Sequence, residues 1–168
     1  MTFVSSTKNT EELTLTFVAE FDAPLDRVWQ VWEDPRQLER WWGPPTWPAT
    51  FVRHDFVVGG QSHYFMTGPD GDKGYGWWEV TVIDAPRRLE FDDGFATPEW
   101  ERDMALDKTH AVVTFEELDG RTRMTSVSSF VSAEQLEQMA QMGMEEGMTE
   151  AIGQIDAILA GSTAGSRA

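Results

Sequence analysis

The sequence lacks cysteine and has few basic residues, and each shortage excludes a class of protein. With no cysteine among its 168 residues, the chain forms no disulfide bond, carries no thiolate nucleophile and binds no metal through sulfur. Lysine and arginine together number 13 against 29 aspartate and glutamate residues, which gives a formal net charge of -16. A surface this acidic repels phosphate backbones and anionic lipid headgroups. We therefore expect neither a nucleic acid nor a membrane surface as partner.

Long apolar runs are missing as well. No stretch of about 18 apolar residues is present, so no membrane-spanning helix is predicted. Residues 1–12 lack the basic start and apolar core that are typical of a signal peptide. The length fits one domain, and 40% hydrophobic residues is ordinary for a globular protein. We expect a cytoplasmic protein with a single domain over residues 11–160 and flexible ends at 1–10 and 161–168.

Tryptophan, in contrast, is abundant. The chain has 8 tryptophans, and five of them lie close together in sequence: Trp29, Trp32, Trp41, Trp42 and Trp47. Large aromatic side chains fill hydrophobic cores, since each buries roughly 150–250 Å². They also form the walls of cavities that hold flat or apolar ligands. The sequence leaves both explanations open.

The order of periodic segments predicts an α+β fold. The predicted elements are a strand over 12–21, short helices over 24–32 and 34–42, strands over 49–57, 61–67, 74–84, 87–92, 109–117 and 121–131, and a helix over 132–159. Such an order is typical of an antiparallel sheet with its helices on one face. Ser132 is the predicted N-cap of the last helix, with Gln135 placed as in a capping box.

Segment 93–107 interrupts this pattern. It is acidic and aperiodic, and at about 15 residues it is longer than an ordinary hairpin loop. We therefore interpret it as a candidate lid over a binding site.

Several motifs carry a resemblance to a known family. They are Ala23-Pro24, Val28-Trp29, Asp34-Pro35, Arg40-Trp41-Trp42-Gly43-Pro44, Gly59-Gly60, Pro69-Asp70-Gly71, Pro86-Arg87-Arg88-Leu89 and Gly147. On these motifs the chain resembles the activator of Hsp-90 ATPase homologue-1-like family of the SRPBCC (START/Bet v 1-like) superfamily. The resemblance extends from Glu12 to Leu159.

The resemblance implies a helix-grip fold. In that fold a curved, seven-stranded antiparallel sheet surrounds a long C-terminal helix, two short helices follow the first strand, and a cavity lies between sheet and helix. The family often has an aromatic residue after the helical glycine, whereas this chain has Met148. That departure either widens the cavity or loosens its packing.

Small residues on the last helix also suggest a cavity. Its predicted inner face includes Ala140, Gly143, Gly147 and Ala151. Glycine in a helix interior costs about 1 kcal/mol relative to alanine, so two glycines require an explanation. Either the sheet backbone approaches closely at these points, or they leave room for a ligand. Four methionines flank them: Met139, Met142, Met144 and Met148. Methionine suits a surface that adapts to varied apolar shapes, and it also fills gaps in ordinary cores.

The strand near the end of the sheet contributes a polar component. Met124, Ser126, Ser128 and Phe130 share one of its faces. We interpret this face as inward because Met124 and Phe130 are apolar, and the two hydroxyls would then orient the polar end of a ligand. The predicted ligand-binding residues are Trp42, Tyr64, Met66, Phe91, Met124, Ser126, Met144, Gly147 and Met148.

Signals for catalysis are sparse. The chain has no Gly-x-Ser-x-Gly turn, and His54, His63 and His110 lack metal-ligand spacing such as His-x-x-x-His. Glu79 is either a buried general base or an exposed glutamate on the outer face of the sheet. We assign no catalytic residue, no metal and no cofactor.

Three functions remain open at this stage. The first is binding of a small hydrophobic molecule, lipid-like or aromatic, in an internal cavity. The second is an enzyme on the same scaffold, such as a cyclase or dehydratase, which requires a carboxylate or histidine with a perturbed pKa inside the cavity. The third is a chaperone-binding module, which requires an exposed apolar patch, for instance around Trp41, Trp42 and Trp47. A homodimer through an edge strand or the tryptophan-rich helical face is compatible with the sequence.

Overall fold

The computed structural model of the protein describes residues 3–103 and 107–165, including the side chains of 5–103 and 107–160. Its strands are β1 (Phe3–Asn9), β2 (Thr14–Phe21), β3 (Ala49–His54), β4 (Gln61–Thr67), β5 (Lys73–Asp84), β6 (Arg88–Ala96), β7 (Thr109–Leu118) and β8 (Arg121–Ser129). Its helices are α1 (Leu25–Glu33), α2 (Pro35–Leu38), α3 (Ala133–Gln141), α4 (Met144–Gly153) and α5 (Ile155–Gly165). None of the helices in this described part has the length and hydropathy that crossing a bilayer requires.

The strands form one antiparallel sheet in the order β1-β2-β8-β7-β6-β5-β4-β3. The predicted α+β class is confirmed, with eight strands instead of seven. The additional strand is β1, which pairs with β2 from Phe3↔Glu20 to Asn9↔Thr14. Residues 3–9 of the segment that we expected to be flexible thus lie in a strand. An edge strand pairs through its backbone and needs no alternation of apolar side chains. The mostly polar residues 3–9 therefore did not predict a strand.

Alternation along β2 and β8 places one face of each strand in the core. Leu15, Phe17 and Phe21 are buried on β2. On β8 the buried residues are Thr122, Met124, Ser126 and Ser128, followed by Phe130. The prediction that the serine-bearing face of β8 points inward is confirmed.

The short helices after β2 begin where proline and aspartate predict. Pro24 is the N-cap of α1, and the Asp34 side chain accepts a hydrogen bond from the Arg36 backbone N–H. The Gln37 amide donates to the Asp34 carboxylate at 3.0 Å. Helix α2 ends at Leu38, before the predicted end at 42, and hydrogen-bonded turns continue the chain to Trp42.

The C-terminal helix is interrupted, which corrects the prediction of one continuous helix. Gly143 adopts a left-handed conformation with φ of 83° between α3 and α4, and Gln154 separates α4 from α5. The Gln154 amide donates to the Gly43 carbonyl at 2.7 Å, so this break is anchored to the Trp-Trp-Gly-Pro segment. Helix α5 continues to Gly165, past the predicted stop at 161, and residues 166–168 lie outside the described residues.

Ser132 and Gln135 fix the start of α3 as the sequence predicts. The Gln135 backbone N–H donates to Ser132 Oγ at 3.1 Å, and the Gln135 side chain accepts from the Val131 N–H at 2.7 Å. The same side chain donates to the Asp107 carbonyl at 2.8 Å. The capping residue thus also holds the segment that precedes β7.

Most of the clustered tryptophans belong to the core. The ring centroids of Trp32 and Trp41 are 4.8 Å apart, and those of Trp42 and Trp78 are also 4.8 Å apart, both in edge-to-face geometry. Trp78 in turn stacks on Phe91 at 4.1 Å. Such aromatic pairs add roughly 0.5–1.5 kcal/mol each beyond the area they bury. Core packing therefore explains much of the tryptophan content, and Trp32, Trp41 and Trp42 also line a cavity.

The candidate lid is shorter than the sequence indicates. Strand β6 extends to Ala96, so residues 93–96 belong to the sheet. Trp100 stacks on His63 with centroids 5.0 Å apart, and the Asp103 N–H donates to the Phe95 carbonyl at 2.9 Å. The segment that follows β6 thus folds back onto the sheet, and Met104 lies outside the described residues.

Candidate functional site

Two adjoining cavities lie between α4 and the sheet. The larger has a volume of about 530 Å³, and the smaller, of about 20 Å³, has room for one water molecule. Trp42, Asp93, Met144 and Met148 line both. The remaining lining of the larger cavity is Pro44, Trp47, Tyr64, Met66, Gly74, Tyr75, Gly94, Phe95, Asp107, Thr109, Met139, Met142, Gly143 and Gly147.

Eight of the nine predicted ligand-binding residues line these cavities. Trp42, Met144 and Met148 line both; Tyr64, Met66 and Gly147 line the larger one; Phe91 and Ser126 line the smaller one. Met124 is the exception, and its place in the predicted set is corrected. Met124 is 1% exposed, and its sulfur accepts a hydrogen bond from the Trp32 indole N–H at 3.3 Å. Met124 therefore belongs to the core.

The two helical glycines have separate explanations. A Cβ added at Gly147 would meet nothing closer than Pro44 Cγ at 4.0 Å, so the sheet backbone does not approach it. The space beside Gly147 is part of the larger cavity. Gly143 instead provides the left-handed backbone between α3 and α4, a conformation that glycine adopts without strain. Of the two explanations for these glycines, close approach of the sheet backbone does not apply at Gly147, which borders open space.

Asp93 is the most consequential of the cavity residues that the predicted set does not contain. The aperiodic pattern places it in a loop, but it lies on β6, opposite Trp78 of β5. Its carboxylate accepts a hydrogen bond from the Tyr64 hydroxyl at 3.2 Å. Leu89 and Phe91 precede it at the same parity and are buried, so continuing their alternation would have predicted that Asp93 points inward.

The environment of Asp93 favours its protonated form. Burial raises the pKa of Asp93 to about 7, although hydrogen bonds from the Tyr64 hydroxyl and the Gly94 N–H act in the opposite direction. Part of the residue still faces the cavity, so a ligand in the cavity can reach it. A charged group bound next to this carboxylate would therefore shift its protonation.

Tyr64 is held firmly against Asp93. Its ring stacks on Phe51 at 4.9 Å and lies so close to Gly76 that a Cβ there would come within 2.4 Å of the ring. Burial, and then the nearby Asp93 charge, raises the pKa of Tyr64 well above its usual value. The hydroxyl consequently remains a proton donor at neutral pH.

The other titratable candidates lie outside the cavities. The Glu79 carboxylate accepts from Arg102 at 2.6 Å in a partly exposed ion pair, which fits the exposed alternative for Glu79 and not a cavity base. His54 lies between Ser62 Oγ at 2.7 Å and the Trp32 carbonyl at 2.9 Å, and burial lowers its pKa. Within 3–103 and 107–165, no group of three or more histidine, aspartate or glutamate residues could hold a metal ion.

Two of the three tryptophans suggested for a chaperone-binding patch are buried. Trp41 is 0% exposed and Trp42 is 5% exposed. Trp47 faces the larger cavity. The rings of Trp41 and Trp42 pack edge to face with centroids 5.6 Å apart, so these two rings form no exposed apolar patch.

Comparison with known proteins agrees with the fold. The profile of the family described as activator of Hsp90 ATPase homolog 1-like protein matches residues 22–160. A solved protein from Arthrobacter aurescens is 61% identical with a TM-score of 0.89, covering 93% of this chain and 91% of that one. A protein from Mycobacterium smegmatis is 49% identical with a TM-score of 0.87, and the match covers 94% of this chain and 97% of that one. A protein from Staphylococcus epidermidis is 28% identical with a TM-score of 0.82, and the match covers 93% of this chain and 94% of that one.

No protein with a curated description matches the chain in sequence. The family profile nevertheless extends from the end of β2 to α5, which includes the Trp-Trp-Gly-Pro segment and the glycine of α4. These are among the motifs that carry the resemblance in the sequence. The chain therefore belongs to the activator of Hsp90 ATPase homolog 1-like family.

Proposed function

We propose that the protein binds a small, mostly apolar molecule of lipid-like or aromatic type in the larger cavity. The observation that carries this proposal is the cavity itself. Its volume of about 530 Å³ falls within the roughly 300–1,000 Å³ range of small-molecule sites. Five methionines line it: Met66, Met139, Met142, Met144 and Met148. Flexible, polarisable side chains of this kind can adjust to an apolar guest.

Polar groups at one end would orient such a guest. The hydroxyls of Ser126 and Ser128 face the smaller cavity, and Asp93 lies between the two cavities. The arrangement favours an amphipathic ligand over a pure hydrocarbon.

An enzyme is the second candidate, and Asp93 is the observation that favours it. A carboxylate with a pKa near 7 can exchange protons with a substrate at neutral pH. Among the described lining residues, however, the other ionisable groups are Tyr64, Tyr75 and Asp107. Tyr64 remains protonated, and Asp107 is exposed at the rim. Binding is therefore the function that the geometry supports best.

Filling the space at Gly147 tests the proposal. A leucine there would extend into the cavity, since a Cβ meets only Pro44 Cγ at 4.0 Å. We expect Gly147→Leu to weaken binding of N-phenyl-1-naphthylamine, an uncharged probe that fluoresces in apolar sites, by about tenfold or more because the guest and the leucine compete for the same volume. The measurement is a fluorescence titration at pH 8.

Gly153→Leu is the matched control. Gly153 ends the same helix and is exposed, and a Cβ added there would meet nothing within 4 Å. Both changes replace glycine by a good helix former, so helix propensity rises in both. We expect Gly153→Leu to bind the probe like the wild type. Equal affinity in all three proteins, or equal loss in both variants, would contradict the proposed site.

A further inference from the structure

The charged groups that line the larger cavity all have the same sign. They are Asp93 at the inner end and Asp107 at the exposed rim. No lysine, arginine or histidine is among the described lining residues. A ligand with a carboxylate, sulfate or phosphate would be repelled by both aspartates, and no cation would offset that repulsion.

The groups packed around Asp93 leave its charge uncompensated. Tyr64 of β4 donates to the carboxylate at 3.2 Å, and Trp78 of β5 is its register partner. Thr109 of β7 donates to the Asp93 backbone carbonyl at 3.4 Å and not to the carboxylate. From α4, Met144 and Met148 line the same cavities. None of these groups is positively charged, and an ionised carboxylate in such surroundings is unfavourable until a cation joins it.

Aromatic side chains line the same cavity as the Asp93 carboxylate. Trp42 and Tyr64 meet edge to face with centroids 6.0 Å apart, and the Tyr64 hydroxyl contacts the carboxylate at 3.2 Å. Trp47 and Phe95 also line this cavity. The negative face of an aromatic ring attracts organic cations, most strongly in tryptophan. Carboxylate and rings together form the chemistry that recognises an ammonium group.

We infer that the ligand of this cavity is an organic cation: a protonated or quaternary amine attached to an apolar body. The ammonium group pairs with Asp93 among the aromatic rings, and the apolar body lies along the methionines of α4. This inference rests on the proposed function and names the ligand class of the same site. The formal net charge of -16 would also attract a cation toward the protein.

The test uses three probes of similar size: benzyltrimethylammonium, its uncharged isostere neopentylbenzene, and phenylacetate. Each is measured by calorimetry and by displacement of N-phenyl-1-naphthylamine at pH 8. We expect the cation to bind about tenfold or more tightly than phenylacetate. We expect Asp93→Asn to weaken binding of the cation by about tenfold or more, because only the cation pairs with the carboxylate. The affinity for neopentylbenzene should stay unchanged.

Acidification supplies an independent readout. With a pKa of about 7, Asp93 is ionised at pH 8 and protonated at pH 5.5. A permanently charged ligand that requires the ionised form should therefore bind about thirtyfold more weakly at pH 5.5. In Asp93→Asn this pH dependence should disappear.

Glu150→Gln is the matched control, because it removes the same charge at an exposed residue of α4 that lines neither cavity. We expect it to weaken binding of the cation by less than about threefold, as for an exposed charge. A loss of binding in Glu150→Gln instead of Asp93→Asn, or equal affinity for cation and phenylacetate, overturns the inference. If the uncharged probes still bind in that case, the proposed function stands. If no uncharged probe binds the wild type, the proposed function itself fails.

Discussion

The Asp93→Asn variant is expected to be more stable than the wild type at pH 8, and this advantage is expected to vanish toward pH 4. Burial raises the pKa of Asp93 from 3.8 to about 7 in the folded protein. Between these values the folded protein holds a proton that the unfolded chain has released, so wild-type stability falls as the pH rises. Asparagine does not titrate and avoids this loss.

The pKa difference sets the size of the effect. A rise from 3.8 to about 7 corresponds to about 4 kcal/mol at most, at about 1.4 kcal/mol per pKa unit. Asp93 is partly exposed to the cavity, and solvent screening would reduce this figure, so we expect a gain of about 2 kcal/mol or more at pH 8. Urea unfolding at pH 4, 6 and 8 measures it. The amide oxygen of asparagine can still accept a hydrogen bond from the Tyr64 hydroxyl. Loss of that hydrogen bond therefore does not contribute to the stability difference between the variant and the wild type.

Asp92→Asn is the neighbouring control, with the opposite expected sign. The Asp92 side chain is hydrogen-bonded to His110 at 2.8 Å and to Lys108 at 2.9 Å. Burial acts to raise its pKa, but these partners outweigh burial and lower it. Removing this charge should therefore decrease stability at pH 8, and the decrease should fade as the pH falls below the usual range of an aspartate. If Asp93→Asn is less stable than the wild type at pH 8, the described surroundings of Asp93 are wrong.

Replacing Trp41 by alanine is expected to lower the free energy of unfolding by about 3–5 kcal/mol, the usual cost of removing a fully buried large aromatic. Trp41 is 0% exposed, and its indole N–H donates to the Val31 carbonyl at 2.8 Å. Its ring contacts those of Trp32 at 4.8 Å and Trp42 at 5.6 Å. The variant loses all three contacts and leaves a buried carbonyl without its donor.

Trp100→Ala provides the comparison for the same chemical change at a less buried position. Trp100 is partly exposed and stacks on His63 at 5.0 Å. We expect Trp100→Ala to lower the free energy of unfolding by about 1 kcal/mol. Urea unfolding at pH 8 measures the loss in both variants. Equal small costs at the two positions would mean that Trp41 lies at the surface, as a protein-binding patch would require.

Local patterns predicted the elements whose signal is carried by side chains. Residues 61–67 alternate and form β4 over the same span. The inward face of β8 follows from Met124 and Phe130. Ser132 and Gln135 cap α3 as their spacing indicates. In each case the residues that carry the signal also make the contacts.

Other features depend on partners that are distant in sequence. Strand β1 exists because its backbone pairs with β2, and no side-chain alternation announces it. Gly143 and Gly147 have the same local signal and both line the larger cavity, yet only Gly143 breaks the helix. The local pattern at Asp93 indicates a loop because an acidic run with Gly94 resembles a turn. Its role depends on its contact with Tyr64, which lies 29 residues away.

The central claim is that the space between α4 and the sheet accepts a guest, and methionine methyl NMR tests it most directly. The experiment titrates wild-type protein, labelled at the methionine methyl groups, with N-phenyl-1-naphthylamine. Ring currents of the bound probe should shift the methyls of Met66, Met139, Met142, Met144 and Met148, which line the cavity. Met124 in the core should keep its shift. Saturable shifts in the cavity methyls with Met124 unmoved are the result that we predict. Unchanged cavity methyls in the presence of excess probe would contradict the account.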